Sequence, residues 1–406
     1  MSRTEVADAR PRPDVRQAEA LRRLRTRVSR HDRTESVPIA AADGRVLAVD
    51  VVAARNVPHY RRAAMDGYAV RARDTATASA ESPAGLARSE EEVRTGTAAY
   101  VDTGGELPAG ADAVARVEKV REDGDEIGVL EPVRRGKDVA PAGEDVRAGE
   151  TVFRAGRRLR PPDLGVLRSI GVERPTVYER PTVAVVPTGE ELVERDPGPG
   201  EVVETNGTVV SRYVARWGGE PALHDVATDR RQPIEEALRD ALSADLVVTI
   251  GGSSVGRRDL LPDVVADLGD LSVHHVAIKP GHPVGLGAIE GTPVVMLPGY
   301  PVSCVLTAVQ FVRPAVHWTH GTTPPPVPTA RAELGESIAS EPGVQRYERV
   351  RLETVDGTLV ARPSERRGAG SLTTVTHADG WVVVEEEQDG IDAGTTVAVE
   401  RWGCLC

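Results

Sequence analysis

Residues 245–259, DLVVTIGGSSVGRRD, set a glycine- and serine-rich turn directly behind a β-branched run and close it with a carboxylate. Residues 245–250 read as a strand covered on both faces. Gly251, Gly252 and Gly256 let the backbone take φ > 0 and approach a ligand, while Ser253 and Ser254 add hydroxyls. Successive N–H groups of such a turn form a cradle for phosphate or an oxyanion. Asp259 cannot itself favour an anion; it is either a carrier for a divalent cation that bridges to phosphate or an Asp near a helix N-terminus. Further carboxylates stand in turns. Asp66 in AAMDGYAV is a functional group or part of a structural Asp-Gly turn between Met65 and Tyr68. Asp145 in PAGED and Glu190 and Glu191 in PTGEEL follow glycines, at positions used for metal ligation or for helix capping. Thr103 and Gly104 in VDTGGELPAGADAV offer a hydroxyl and a flexible backbone.

Lys279 in AIKPGHPVGLG ends a β-like run and is either a fixed cation for phosphate or a solvated lysine. In MLPGYPVS, Pro298 and Pro301 fix φ on either side of Gly299 and make a rigid turn. Ser371 in GAGSL reaches a ligand or belongs to a hairpin loop. His274 and His275 adjoin a strand whose alternation places them on opposite faces, which argues against a metal-ligand pair. No Walker loop, dinucleotide fingerprint or Ser-His-Asp arrangement is legible.

These residues need elements to hold them. A helix is expected within 15–29 and a strand over 46–52; 75–92 reads as a polar loop, and 161–169 as a helix with Pro161 in its first turn and Gly171 at its end. From residue 182 strands (183–189, 222–228, 246–252, 293–297) alternate with helices (207–217, 233–242, 260–268, 302–312). Alternation at these lengths implies a mostly parallel sheet with helices on both faces, whose ligands sit at the carboxyl ends of the strands. The turns at 187–191, 251–259 and 296–303 then share one edge. Beyond the proline-rich 322–328 the pattern is period-two throughout, as in a small β-barrel or sandwich.

At 406 residues, two to four domains are expected. A net charge of −12 and the absence of a basic, aromatic-interleaved patch argue against nucleic-acid binding. The charged first residues and the lack of a long apolar run argue against a secretory signal and a membrane span, so a cytoplasmic protein is expected. Cys304, Cys404 and Cys406 form no even framework, and Cys404 and Cys406 read as a tail rather than a metal site.

Eight segments carry a resemblance to a family: MDGYAV at Met65, TGGELPAGADAV at Thr103, GED at Gly143, TGEEL at Thr188, TN at Thr205, GGSSVGRRD at Gly251, KPGHP at Lys279 and LPGYPVS at Leu297. In this order, over nearly the whole chain, they resemble the molybdenum-insertion enzymes of molybdenum-cofactor biosynthesis, the MoeA family, to which the E domain of gephyrin is similar. The resemblance implies a multidomain α/β plus β protein with an elongated subunit. It implies a split extended domain (15–50 and 145–180), an inserted lobe (51–144), a three-layer α/β molybdopterin-binding domain (181–321) and a C-terminal β-barrel (328–406). It further implies a homodimer with a site shared between subunits, contact with the molybdopterin adenylyltransferase, and an Mg²⁺-dependent transferase. The family's reaction takes adenylylated molybdopterin and molybdate, or tungstate, and releases AMP. Carried over by motif, Asp66, Asp145, Glu191 and Asp259 are the catalytic acidic set, with Asp229 in ATDR a looser match. Asp259 and Glu191 are expected as the metal ligands, and Thr103, Gly252, Ser253, Ser254, Gly256, Lys279, Pro298 and Pro301 are expected to bind the cofactor precursor. A non-catalytic molybdopterin carrier or scaffold is the alternative. Tyr300 stands where LPGNP has Asn, His282 where KPGKP has Lys, Ser253 where GGVS has Val, and Leu260 where Tyr usually follows the Asp.

Overall fold

The computed structural model describes residues 14–253, 260–364 and 370–404. The chain divides into two compact units, Thr34–Tyr178 and a second made of Met1–Arg33 with Glu179–Cys406.

The β-branched runs TVAVVP, LVVTI and TPVVML are buried almost throughout, as strands covered on both faces must be. They are the middle of a six-stranded sheet in the order Glu220–Leu223, Thr182–Pro187, Leu246–Ile250, Thr292–Leu297, Gly285–Ile289, Gly269–His274. The first four strands are parallel and the last two antiparallel. On one face, Val210, Val214 and Trp217 of helix Asn206–Arg216 and its end pack with Phe311, Val312 and Val316. On the other face lie Ile234 and Leu238 of helix Arg231–Ala241 and Val264 and Val265 of helix Leu261–Leu268. The result is a three-layer α/β domain. Arg33 grips Asp245 with both guanidinium nitrogens, at 3.0 and 2.6 Å, and the Thr182 N–H donates to the same carboxylate at 2.8 Å. This clamp ties the amino ends of the two central strands, at the edge opposite their ligand-binding turns.

Residues 15–33, expected with the split extended domain, belong instead to this unit. Helix Gln17–Arg27 buries Ala20 and Leu24 in the same core as Trp217 and Val316, because its apolar stripe has that surface to cover. The run expected as one helix over 302–312 is broken into Pro301–Thr307, a π-turn Ala308–Val312 and Arg313–Thr319. Pro314 has no N–H to give the carbonyl one turn back, and the helix widens where that bond is missing.

The period-two region closes a five-stranded barrel. Gln345–Val355 pairs with both Thr358–Pro363 and Gly380–Val384, and Thr329–Leu334 and Thr396–Glu400 complete the ring around Leu334, Val350, Ala361, Val382 and Val399. The short strand Ile278–Lys279 runs beside Gln345 and Arg346, and Tyr347 donates to Gln17 at 2.8 Å, so barrel and α/β domain are joined.

In the unit Thr34–Tyr178, Thr34–Ser36 pairs with Thr176–Tyr178, which brings the two crossings of the chain together. The expected strand over 46–52 is reduced to bridges at Val46 and Leu47 and the pair Val51–Val52 with Thr151–Phe153. A second six-stranded sheet is ordered Ala113–Arg116, Gly67–Val70, Thr97–Val101, Ala84–Ser89, Glu126–Val129, Val120–Asp123. Ala84–Ser89 corrects the reading of 75–92 as a loop. Its one large apolar residue, Leu86, is buried, and its backbone pairs on both sides, so tertiary pairing rather than propensity makes it a strand. Among the described residues no helix is long and apolar enough to cross a membrane.

Candidate active site

The register of the α/β sheet sets the site. Pro187 lies opposite Ile250, and Ile250 opposite Leu297, so three adjacent parallel strands end at one level. Thr188, Gly251 and Pro298 therefore leave the sheet together, as expected for ligand-binding turns at carboxyl ends. The Thr188 N–H donates to the Ile250 carbonyl at 2.8 Å and the Gly251 N–H to that of Leu297 at 2.9 Å, which locks the turns to one another. Gly251 has φ +102°, and a Cβ there would stand 2.4 Å from the Thr188 carbonyl oxygen. Only glycine fits that crossing.

Above this edge opens a cavity of about 640 Å³. Its floor is Thr188, residues 250–253 and the turn 298–301. One wall is the short parallel pair Leu192–Val193 and Val202–Val203, fixed by the Val202 N–H to the Glu191 carbonyl at 2.8 Å. Val202, Val203 and Tyr300 are exposed apolar side chains that face this space, Tyr300 being 67% accessible. Asn206 opens an eleven-residue helix at the cavity and donates through Nδ2 to the Gly299 carbonyl at 2.7 Å. Gly370 and Leu372 add a contribution from the barrel region.

Of the expected site residues, Glu191, Gly252, Ser253, Pro298 and Pro301 line this one cavity. Ser254, Gly256 and Asp259 lie outside the described residues. Asp229 stands next to the cavity, its carboxylate accepting from the Glu190 N–H at 3.3 Å. Ser371 lies between two lining residues, with its hydroxyl 3.2 Å from that of Thr373. Lys279 departs from expectation: it is not among the described residues that line the cavity, and its ammonium donates to Glu341 at 3.2 Å. Pairing of Ile278–Lys279 with the barrel strand directs it there. His274 and His275 also depart. Their rings are 4.1 Å apart rather than on opposite faces, because His275 takes φ +74° and breaks the alternation.

Asp66, Thr103 and Asp145 belong to the unit Thr34–Tyr178. Gly67 pairs with Val101, so the residues just beyond that pair meet. Both the N–H and the hydroxyl of Thr103 donate to Asp66 Oδ1, each at 2.6 Å. The Thr103 hydroxyl, then its N–H, holds the exposed Asp66 carboxyl below the usual aspartate range. Asp145 is exposed on its turn, anchored by its N–H to the Val57 carbonyl at 3.0 Å. Thr103→Val removes the hydroxyl and keeps the N–H, so Asp66 should titrate at higher pH than in the parent chain. A depressed carboxyl contributes stability above the ordinary value of 3.8 and loses it as pH falls through the folded value, so the variant loses this contribution at higher pH. NMR titration of the Asp66 carboxyl carbon checks this, and an unchanged midpoint would show that the hydroxyl has no part in it.

The signals missed in the sequence are Glu204, Asn206 and Tyr300. Asn206 was visible within the TN segment, and Tyr300 as a departure in LPGYP, but neither residue type alone marks a ligand wall. The described lining carries two carboxylates, Glu191 and Glu204, and no lysine or arginine. Its polar donors are oxygen and amide groups, which suit a hard cation such as Mg²⁺ and not a soft one.

Three family models match along the chain: the MoeA N-terminal region (domain I and II) at 15–171, the probable molybdopterin binding domain at 184–318, and the MoeA C-terminal region (domain IV) at 331–402. The chain is 32% identical to molybdopterin molybdenumtransferase 2 of Mycobacterium tuberculosis, covering 95% of this chain and 99% of that protein. It is 29% identical to a molybdopterin molybdenumtransferase of a Nostoc species over 61% of this chain and 60% of the relative. The crystal structure of a molybdopterin biosynthesis moeA protein from Pyrococcus horikoshii superposes with a TM-score of 0.82 at 33% identity, covering 96% of this chain and all of that one.

Proposed function

The chain belongs to the MoeA family, and we propose that it is a molybdopterin molybdenumtransferase of molybdenum-cofactor biosynthesis, taking adenylylated molybdopterin and molybdate or tungstate and releasing AMP. The observation that carries this reading is the cavity at the ends of three in-register strands, where a glycine-bound turn, an apolar wall and a carboxylate converge. Each part suits one part of the substrate. Val202, Val203 and Tyr300 offer the flat apolar surface on which a pterin stacks. Past Gly251, whose N–H is held by Leu297, the turn at Gly252 and Ser253 offers its backbone N–H groups to the phosphate.

Glu191 opposes an anion unless a cation lies between them, so we assign it, with Asp259, to hold Mg²⁺. That ion, when bound, offsets phosphate charge. One carboxylate of the acidic set accepts a proton from the water that attacks the phosphorus on the molybdopterin side of the phosphoanhydride, and AMP leaves with the electron pair of the broken P–O bond. Asn206, bonded to Gly299, keeps the helix start and the turn 298–301 in place during this exchange. Ser254 and Gly256 are assigned to the phosphate by their motif, and Pro298 and Pro301 shape the floor. Asp66, Thr103 and Asp145 act in a homodimer whose second subunit completes the site, in the cytoplasm, with the substrate handed over by a molybdopterin adenylyltransferase.

AMP release from adenylylated molybdopterin with Mg²⁺ tests the reading. Release stimulated by molybdate or tungstate is expected, and the stronger stimulant names the preferred oxyanion. Tight binding without release, with either oxyanion, would replace the enzyme by a carrier.

A further inference from the structure

The cluster of Asp14, His275 and His282 lies outside the cavity's lining, and each member offers one ligand atom within 4.8 Å of the others. Four backbone hydrogen bonds bring them together from separate places in the sequence. The Ala277 N–H donates to the Val15 carbonyl at 2.9 Å and the Val15 N–H to the His275 carbonyl at 3.2 Å, which sets Asp14 beside His275. The Val276 N–H donates to the His282 carbonyl at 3.0 Å, and the His275 N–H to that of Val284 at 3.1 Å, which folds His282 back over His275. His275 itself takes φ +74°, a conformation costly for a residue with a Cβ and often found where function requires it. That twist turns its ring out of the strand's alternation and into the cluster, 4.7 Å from the stacked ring of His282. His282 Nε2 already lies 2.9 Å from Asp14 Oδ1.

We propose that Asp14, His275 and His282 form a binding site for a borderline divalent cation of the zinc class. Two imidazoles and one carboxylate are the donor set that such ions take, with bonds of about 2.0–2.2 Å. Ligand atoms of a tetrahedral site at those bond lengths stand roughly 3.4 Å apart, so a closure of about an ångström by side-chain rotation forms it. The imidazoles must be neutral to bind. Mg²⁺ is a poor occupant because it demands oxygen ligands. The site adjoins the cavity: His274, its ring 4.1 Å from that of His275, donates from Nε2 to the carbonyl of buried Ser253 at 3.2 Å, and Pro283, next to His282, lines the cavity. A cation here therefore braces the phosphate turn from behind.

Co²⁺ is the probe, titrated into the untagged full chain with Mg²⁺ in excess to occupy oxygen sites, and read by calorimetry and visible absorption. One Co²⁺ per chain is expected, with tetrahedral bands, no thiolate charge-transfer absorption, and displacement by Zn²⁺. His282→Ala and His275→Asn should each weaken binding by ~100-fold and Asp14→Asn by ~10-fold, on the scale of losing a metal ligand or its support. Asn accepts positive φ, so His275→Asn preserves the backbone; His282→Ala, at an exposed position, carries the test if the other variant misfolds. Glu191→Gln should leave Co²⁺ affinity unchanged, which separates this site from the proposed Mg²⁺ site. Absence of saturable Co²⁺ binding, or binding that ignores both histidine substitutions, overturns the proposal.

Discussion

Glu191→Gln should lower AMP release by about 10²-fold or more, equivalent to about 2.7 kcal/mol of lost transition-state stabilisation. The side chain is exposed on the cavity edge, and amide for carboxylate preserves its shape while removing the charge that makes a hard-cation ligand. Thermal unfolding should move little, because an exposed polar exchange usually stays within about 0.5 kcal/mol. Single-turnover AMP formation and a melting curve on the same preparation separate the two effects. Full activity would remove Glu191 from the chemistry and leave metal handling to Glu204 or to residues outside the described cavity lining.

Gly251→Val should abolish substrate binding and also destabilise the unit it sits in. At φ +102° a β-branched residue is strained, at a cost of about 1–3 kcal/mol. The clash adds to it, since the new Cβ would meet a backbone oxygen at 2.4 Å and not a side chain that can swing away. Relief requires parting Thr188 from Gly251, and with them the carboxyl ends of the two central strands. Gly252→Asn is the companion: φ is +58°, which Asn tolerates, and a Cβ's nearest neighbour is the Thr188 hydroxyl at 3.2 Å. Denaturant midpoints should fall clearly for the first variant and slightly for the second. Equal midpoints would mean that the crossing at Gly251 is not rigid.

The central strands and their turns were legible because buried parallel strands write themselves as uninterrupted β-branched runs, as in 183–186 and 246–250, and because glycine and proline mark the turns at their ends. The barrel was legible for the complementary reason, period-two alternation between Gly and Asp turns. Ala84–Ser89 was not, since alanine, glycine and arginine carry no strand signal and only pairing on both sides defines it. The histidine cluster was hidden by a single dihedral angle: alternation parts His274 from His275, and the positive φ of His275 reunites them. Lys279 shows the limit of reading a side chain from its local segment. Its position at a strand end is as read, but the strand pairs with the barrel, and Glu341 takes its charge. Asn206 and Tyr300 acquire meaning only when the register brings their turns to one cavity.

The most direct test of the cavity as the reaction site is a crystal structure with adenylylated molybdopterin bound. The pterin should lie against Tyr300 and Val202, with phosphate on the turn 251–253. A ligand seated elsewhere on the subunit, with this cavity filled by water, would contradict the assignment.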